Sequence, residues 1–217
     1  MMKRYVVLAV ATMAVAGVAL SAQSQLTSAA GWKQRVDAST EASDPDPAGD
    51  VKFTAIAGGF HTANPKAAVF YHPSNTVSGT YTLKGTFAQN ARSSHVNYIG
   101  FVFGAKDLNG PAESYTYFLV APQNGTYLVK QRTGAGGNDT KDVVARMQSP
   151  AIQQLDASGK ATNTLEVRVL ADKIDYVVNG TVVSSTPKTG INTDGVWGMR
   201  VNHALPDVSI TGLSVSK

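Results

Sequence analysis

The chain has 217 residues, of which 43% are hydrophobic and 16% charged, with a formal net charge of +4 and no cysteine. This length suits one domain, or at most two small ones, with a core of its own. The composition excludes a disordered tail, a coiled coil and a collagen-like chain, and the lack of cysteine excludes a disulfide framework, a thiolate metal site and a Cys nucleophile.

The chain opens on Lys3 and Arg4, then runs apolar and uncharged from Tyr5 to Leu20, then reaches the small residues Ser21 and Ala22. That order is the order of a secretory signal peptide. Residues 1–22 are therefore expected to be removed and the protein to be secreted or periplasmic. The apolar run is shorter than the ~20 residues of a spanning helix, and no basic cluster follows it, so no membrane span is expected after cleavage. Without Lys3 and Arg4 the net charge falls to about +2. No segment carries a Lys/Arg cluster, so nucleic acid is not expected as a partner.

Residues 23–50 read as a polar linker or leader. They include Asp44-Pro45-Asp46-Pro47, in which neither proline can donate to a strand ladder. Asp44, Asp46 and Asp50 are oxygen donors suited to calcium, but the EF-hand spacing is missing, so structural calcium has no motif behind it and no cofactor is expected.

From residue 51 to the end the pattern is strand after strand. Expected strands are Val51–Ala57, Ala67–Tyr71, Thr76–Gln89, Tyr98–Gly104, Ser114–Ala121, Thr126–Thr133 and Asp142–Met147. Asn163–Ala171, Lys173–Asn179, Thr181–Ser185, Val196–Asn202 and Asp207–Val215 follow. Each is rich in Val, Ile, Thr, Tyr or Phe and bounded by Gly, Pro, Asn or Asp. Leu165, Val167 and Val169 alternate with Glu166 and Arg168, the two-residue period of a half-buried antiparallel strand. Asn179-Gly180 sits between two such runs and predicts a type I′ hairpin with positive φ at both positions; Asn124-Gly125 predicts the same. Asp172 and Asp194-Gly195 mark further corners, and residues 153–159 are expected to hold a single helical turn. So many strands argue for two packed antiparallel sheets.

The last third reads TNTLEVRVLADKIDYVVNGTVVSSTP, then DGVWGMRV, then DVSITGLSVSK. A long strand, a strand ending in Asn-Gly, an apolar-Gly-apolar strand and a returning final strand resemble the close of a concanavalin A-like jelly-roll domain, as in laminin-G-like and 3-keto-disaccharide hydrolase-like modules. The resemblance spans about residues 51–215. It implies an all-β, two-sheet antiparallel jelly-roll sandwich over residues 51–217, and it speaks to fold more than to activity.

Chemistry is less legible. Glycoside hydrolysis needs two carboxylates flanking the scissile bond. Glucanases of this superfamily carry a Glu-x-Asp-x-(x)-Glu cluster on one strand, and this chain has only Glu41, Glu113 and Glu166, none in such a neighbourhood. His61, His72, His95 and His203 lack zinc-site spacing, though several can converge on one pocket. No Gly-x-Ser-x-Gly elbow appears, and Gly134–Gly137 lacks the Lys-Ser/Thr ending of a phosphate loop. No catalytic or metal residue is assigned.

The richer pattern is aromatic and polar. By strand parity Tyr115, Tyr117 and Leu119 share a face, as do Leu128, Lys130 and Arg132, and as do Arg200 and Asn202 opposite Trp197, Met199 and Val201. Tyr117, Lys130, Arg132, Arg200, Asn202 and the adjoining His203 are the candidate ligand-binding residues: a flat ring for the C–H side of a sugar, and planar hydrogen-bond formers for its hydroxyls. The alternative is a solvated face with snorkelling Lys and Arg. Three functions stand open. The first is an exported, non-catalytic domain that binds a poly- or oligosaccharide. The second is a glycoside-acting enzyme, as the hydrolase-like resemblance implies. The third is a structural or interaction module of the envelope.

Overall fold

The computed structural model describes residues 29–39, 41–134 and 139–217. The segment read as a signal peptide lies outside the described residues. Fourteen strands follow in order: β1 (Lys33–Asp37), β2 (Lys52–Ile56), β3 (Gly59–Asn64), β4 (Ala67–Val77), β5 (Tyr81–Gln89), β6 (Ile99–Lys106) and β7 (Ser114–Ala121), then β8 (Thr126–Thr133), β9 (Thr140–Gln148), β10 (Ala161–Val169), β11 (Lys173–Val178), β12 (Thr181–Pro187), β13 (Gly195–Val201) and β14 (Leu205–Ser216). They form two seven-stranded sheets. The front sheet runs β1-β4-β13-β6-β7-β8-β9 and the back sheet β12-β11-β10-β5-β14-β3-β2, with every pairing antiparallel.

The core lies between the sheets and follows the predicted alternation. The front sheet sends in Phe70, Ile99, Phe101, Phe103, Phe118, Val120, Val129, Trp197, Met199 and Val201. The back sheet answers with Phe60, Leu83, Phe87, Leu165, Val167, Val169, Ile174, Tyr176, Val208 and Ile210. Facing aliphatic and aromatic side chains, each worth about 1.5–3 kcal/mol on full burial, hold the layers together.

Two turn features explain local sequence choices. At the β11–β12 hairpin Asn179 has φ 50° and Gly180 φ 83°, as the Asn-Gly pair predicts. Asn179 also accepts a hydrogen bond from Thr164 N (2.8 Å) and donates to Ala151 O (2.9 Å), tying the hairpin to its neighbours. On β13, a Cβ at Gly198 would lie against the carbonyl oxygen of Phe70, so the apolar-Gly-apolar motif marks a close approach to β4.

Five expectations need correction. The polar linker contains β1, which pairs with β4 from Lys33↔Tyr71 to Asp37↔Ala67, and Trp32 just before it packs 4.7 Å from Phe60. Strand β3 was not expected, because its inward positions include polar Thr62 and Asn64. These are buried but satisfied: Thr62 donates to Lys52 O (2.7 Å) and Asn64 to Lys66 O (3.1 Å). The expected break after Tyr71 falls instead at residues 78–80. Pro73 stays within β4, where the β13 register jumps from Gly198↔Tyr71 to Val196↔Thr76 and needs no amide donor. Between β7 and β8 a four-residue loop replaces the tight hairpin: Ala121 pairs with Thr126, Gly125 N donates to Ala121 O (3.0 Å), and of Asn124 and Gly125 only Gly125 has positive φ. Residues 153–159 hold no helical turn; Asp156 instead caps a turn, accepting from Ser158 N (2.8 Å) and Lys160 N (3.0 Å).

Candidate functional site

The outward face of the front sheet is itself buried. Val69, Tyr71, Tyr98, Val102, Tyr115, Tyr117, Leu119 and Leu128 form a second apolar cluster there. The face also curls. Asp37 on β1 and Arg132 on β8 lie five strand steps apart, roughly 24 Å along a sheet at the usual spacing, yet Arg132 Nη1 donates to Asp37 Oδ2 at 2.8 Å. Only a sheet bent around this face brings them together.

An ion-pair network forms the floor. Arg200 Nη1 donates to Asp37 Oδ2 (2.6 Å) and to Tyr115 Oη (3.1 Å), and Arg35 Nε donates to Asp37 Oδ1 (2.9 Å). Glu113, fully buried, pairs with Arg35 and sits 2.9 Å from Arg132 Nε, close but without hydrogen-bond alignment. Burial alone would raise the Asp37 carboxyl; Arg200, Arg132 and Arg35 outweigh it and hold it below the usual carboxylate range. Burial would likewise favour loss of the Arg200 proton, but Tyr115, Asp37 and Tyr117 hold the guanidinium charged.

Beside this network opens a recess of about 190 Å³ lined by Tyr98, Tyr117, Leu119, Leu128, Lys130, Arg146, Arg200 and Asn202. Four of the six candidate residues meet here: Tyr117, Lys130, Arg200 and Asn202. The Arg200 guanidinium lies 5.7 Å from the centroid of the Tyr117 ring, and that of Arg146 lies 5.6 Å from Tyr98's. Burial pushes the Tyr117 hydroxyl up to about 12, so it stays a neutral donor. Lys130 is paired with Asp142 at 3.1 Å. Asn202 Oδ1 is buried with no hydrogen-bond partner among the described residues.

The other two candidates sit elsewhere. Arg132 shares the face but is 6% exposed and committed to Asp37 and Glu113. His203, past the end of β13, turns to His95 and Asp46. Arg200 is also more structural than an exposed ligand contact would be, so its truncation strips Asp37 of a partner. Asn202 is therefore the cleaner binding probe.

Tyr98 shares parity with Val102 and was within reach of the sequence. Arg146 was not, because register shifts in the β8–β9 pairing interrupt the alternation. Arg35, Asp37 and Glu113 gave no signal, since a charged residue on a short polar strand or in a loop is usually solvated.

Two antiparallel sheets with these connections define the concanavalin A-like jelly roll, and solved structures agree on the fold. A carbohydrate-binding module, CBM66 from Bacillus subtilis, superposes with a TM-score of 0.57 at 9% identity, over 88% of this chain and 97% of that one. The carbohydrate recognition domain of Emp46p gives 0.56 at 10% identity, over 86% and 88%. A beta-glucanase from Bacillus licheniformis gives 0.53 at 13% identity, over 87% and 93%. No protein-family model matches the chain, and no curated protein matches it.

Proposed function

We propose that the protein is an exported carbohydrate-binding domain that takes one sugar ring of a glycan into the recess on the front sheet. The observation that carries this is the unpartnered Asn202 Oδ1 set among tyrosine rings and hydrogen-bond donors. A buried acceptor without a partner costs free energy that a ligand hydroxyl would recover. Tyr98 and Tyr117 supply apolar walls, and Lys130, Arg146 and Arg200 supply donors. At about 190 Å³ the recess is below the ~300–1,000 Å³ of pockets for drug-sized ligands, which suits a single ring with the rest of the glycan outside. The charges of Lys130 and Arg200 are already balanced by Asp142 and Asp37, which favours a neutral, hydroxyl-rich ligand.

The same network favours binding over hydrolysis. A general acid needs a raised pKa. Asp37, the carboxylate on which that network centres, is held low by three arginines.

A glycan array on the mature protein, with a hydrolysis assay on every glycan retained, tests the reading. Retention of a defined set of neutral glycans without cleavage is expected. No retention, or cleavage of the retained glycans, overturns it.

A further inference from the structure

Outside the recess lies a second cluster of polar side chains. His95 lies in the loop between β5 and β6, His203 between β13 and β14, and Asp44 in the segment before β2. Their donor atoms converge. His95 Nε2 and His203 Nε2 are 2.9 Å apart, His203 Nε2 is 3.2 Å from Asp44 Oδ2, and His95 Nε2 is 3.4 Å from Asp44 Oδ1. Bonds of about 2.05 Å in a tetrahedral zinc site set ligand atoms roughly 3.3 Å apart. The observed separations, with one Asp44 oxygen toward each ring, run from 2.9 to 3.4 Å, close to that spacing.

The surrounding hydrogen bonds fix how each ring presents itself. His203 Nδ1 lies 3.0 Å from Asp46 Oδ1, which accepts the Nδ1 proton and leaves a lone pair on Nε2. Asp46 is anchored in turn, its Oδ2 accepting from Ser39 N at 2.7 Å. A carboxylate behind an imidazole is the arrangement that orients a metal-bound histidine and raises its basicity. His95 Nε2 also meets the amide nitrogen of Asn97 at 2.9 Å, a donor that a bound metal would displace, and Ser94 Oγ meets its Nδ1 at 3.0 Å. Nε2 of His95, Nε2 of His203 and the Asp44 carboxylate therefore gather around one spot.

We propose that His95, His203 and Asp44 bind a divalent transition metal of the zinc type, which clasps the 41–50 segment to the loops beside β6 and β13. Two imidazoles suit zinc better than calcium, which takes six to eight oxygens. The side chains of Asp44 and His95 are 48% and 39% exposed, so water can reach the fourth position. None of the three residues lines the sugar recess, so the two proposals stand or fall separately.

Isothermal titration of the chelator-treated chain with ZnCl2 tests this, with CaCl2 and MgCl2 as comparators. One zinc per chain is expected, with no saturable heat from calcium or magnesium. His203→Gln and Asp44→Asn should each weaken zinc binding at least tenfold, and Asp46→Asn by about tenfold through the orientation of His203. Circular dichroism checks the fold of each variant; should His203→Gln unfold, His95→Gln, with its more exposed ring, carries the same reading. No saturable zinc binding, equal binding of calcium, or wild-type zinc affinity in folded His95→Gln and Asp44→Asn variants would overturn the proposal.

Discussion

The two outward faces of the sandwich arise from the same strand alternation and differ in how much of them reaches water. On the back sheet, Glu166 is flanked by Lys84 at 3.2 Å and Arg168 at 2.6 Å, and Asp175 by Lys173 at 3.1 Å. The lysines there are about half exposed and cover carboxylates that are themselves buried, with one pair across neighbouring strands and two along a single strand. On the front sheet the outward positions carry tyrosines, leucines and arginines, and most are buried. Alternation says which residues leave the core. Whether they then reach water depends on sheet curvature and on what folds over them.

The sharpest way to break this contrast is at Asp37. Asp37→Ala leaves Arg35, Arg132 and Arg200, all mostly buried, short of a carboxylate. It should lower stability by about 3–5 kcal/mol, read from the urea midpoint. A loss near that of a surface pair would mean the front network is as solvated as the back one.

Asn202→Ala comes next. Because its Oδ1 has no partner among the described residues, the variant should fold like wild type yet lose about 1–3 kcal/mol in glycan binding, read by titration with a retained glycan. Unchanged affinity would take the recess out of the site.

Gly180→Val, on the back-sheet hairpin, should cost about 1–2 kcal/mol. A Cβ there meets nothing within 4 Å, so the penalty is the positive φ alone. A denaturation midpoint equal to wild type would contradict the type I′ turn. Smaller still, Lys84→Ala should change stability by about 0.2–1 kcal/mol, fading in high salt, because its ammonium is half exposed.

Acid should act on both faces. Burial would raise Asp37 and Glu166, but their basic partners hold both below the ordinary carboxylate value; Asp175 is lowered chiefly by its hydrogen bond from Ser185. Groups depressed in the folded state bind protons more readily when unfolded. Their contribution is complete above the unfolded value of about 4 and is lost as the pH falls toward the folded values. A thermal midpoint that rises on acidification from pH 6 to pH 3 would contradict these ion pairs.

The back sheet was nearly all legible in the sequence, since Leu165, Val167, Val169, Ile174 and Tyr176 alternate with polar neighbours. Its exception, β3, turns Thr62 and Asn64 inward, where hydrogen bonds replace hydrophobicity as the reason for burial. On the front sheet, parity grouped Tyr117, Lys130, Arg200 and Asn202 correctly on one face. It could not separate Arg132, which has the same parity but a buried carboxylate for a partner. Nor could it find β1, whose register rests on contacts with residues far along the chain. The histidine cluster was legible only as the expectation that several histidines can converge, since Asp44, His95 and His203 share no spacing and meet through three loops.

Ligand binding is proposed at the curved front face and not at the back face. Nuclear magnetic resonance titration of the labelled protein with a retained glycan tests it most directly. Shifts confined to residues around Tyr98, Tyr117, Lys130 and Asn202 are predicted; shifts centred on Lys84, Glu166 and Arg168 would contradict the account.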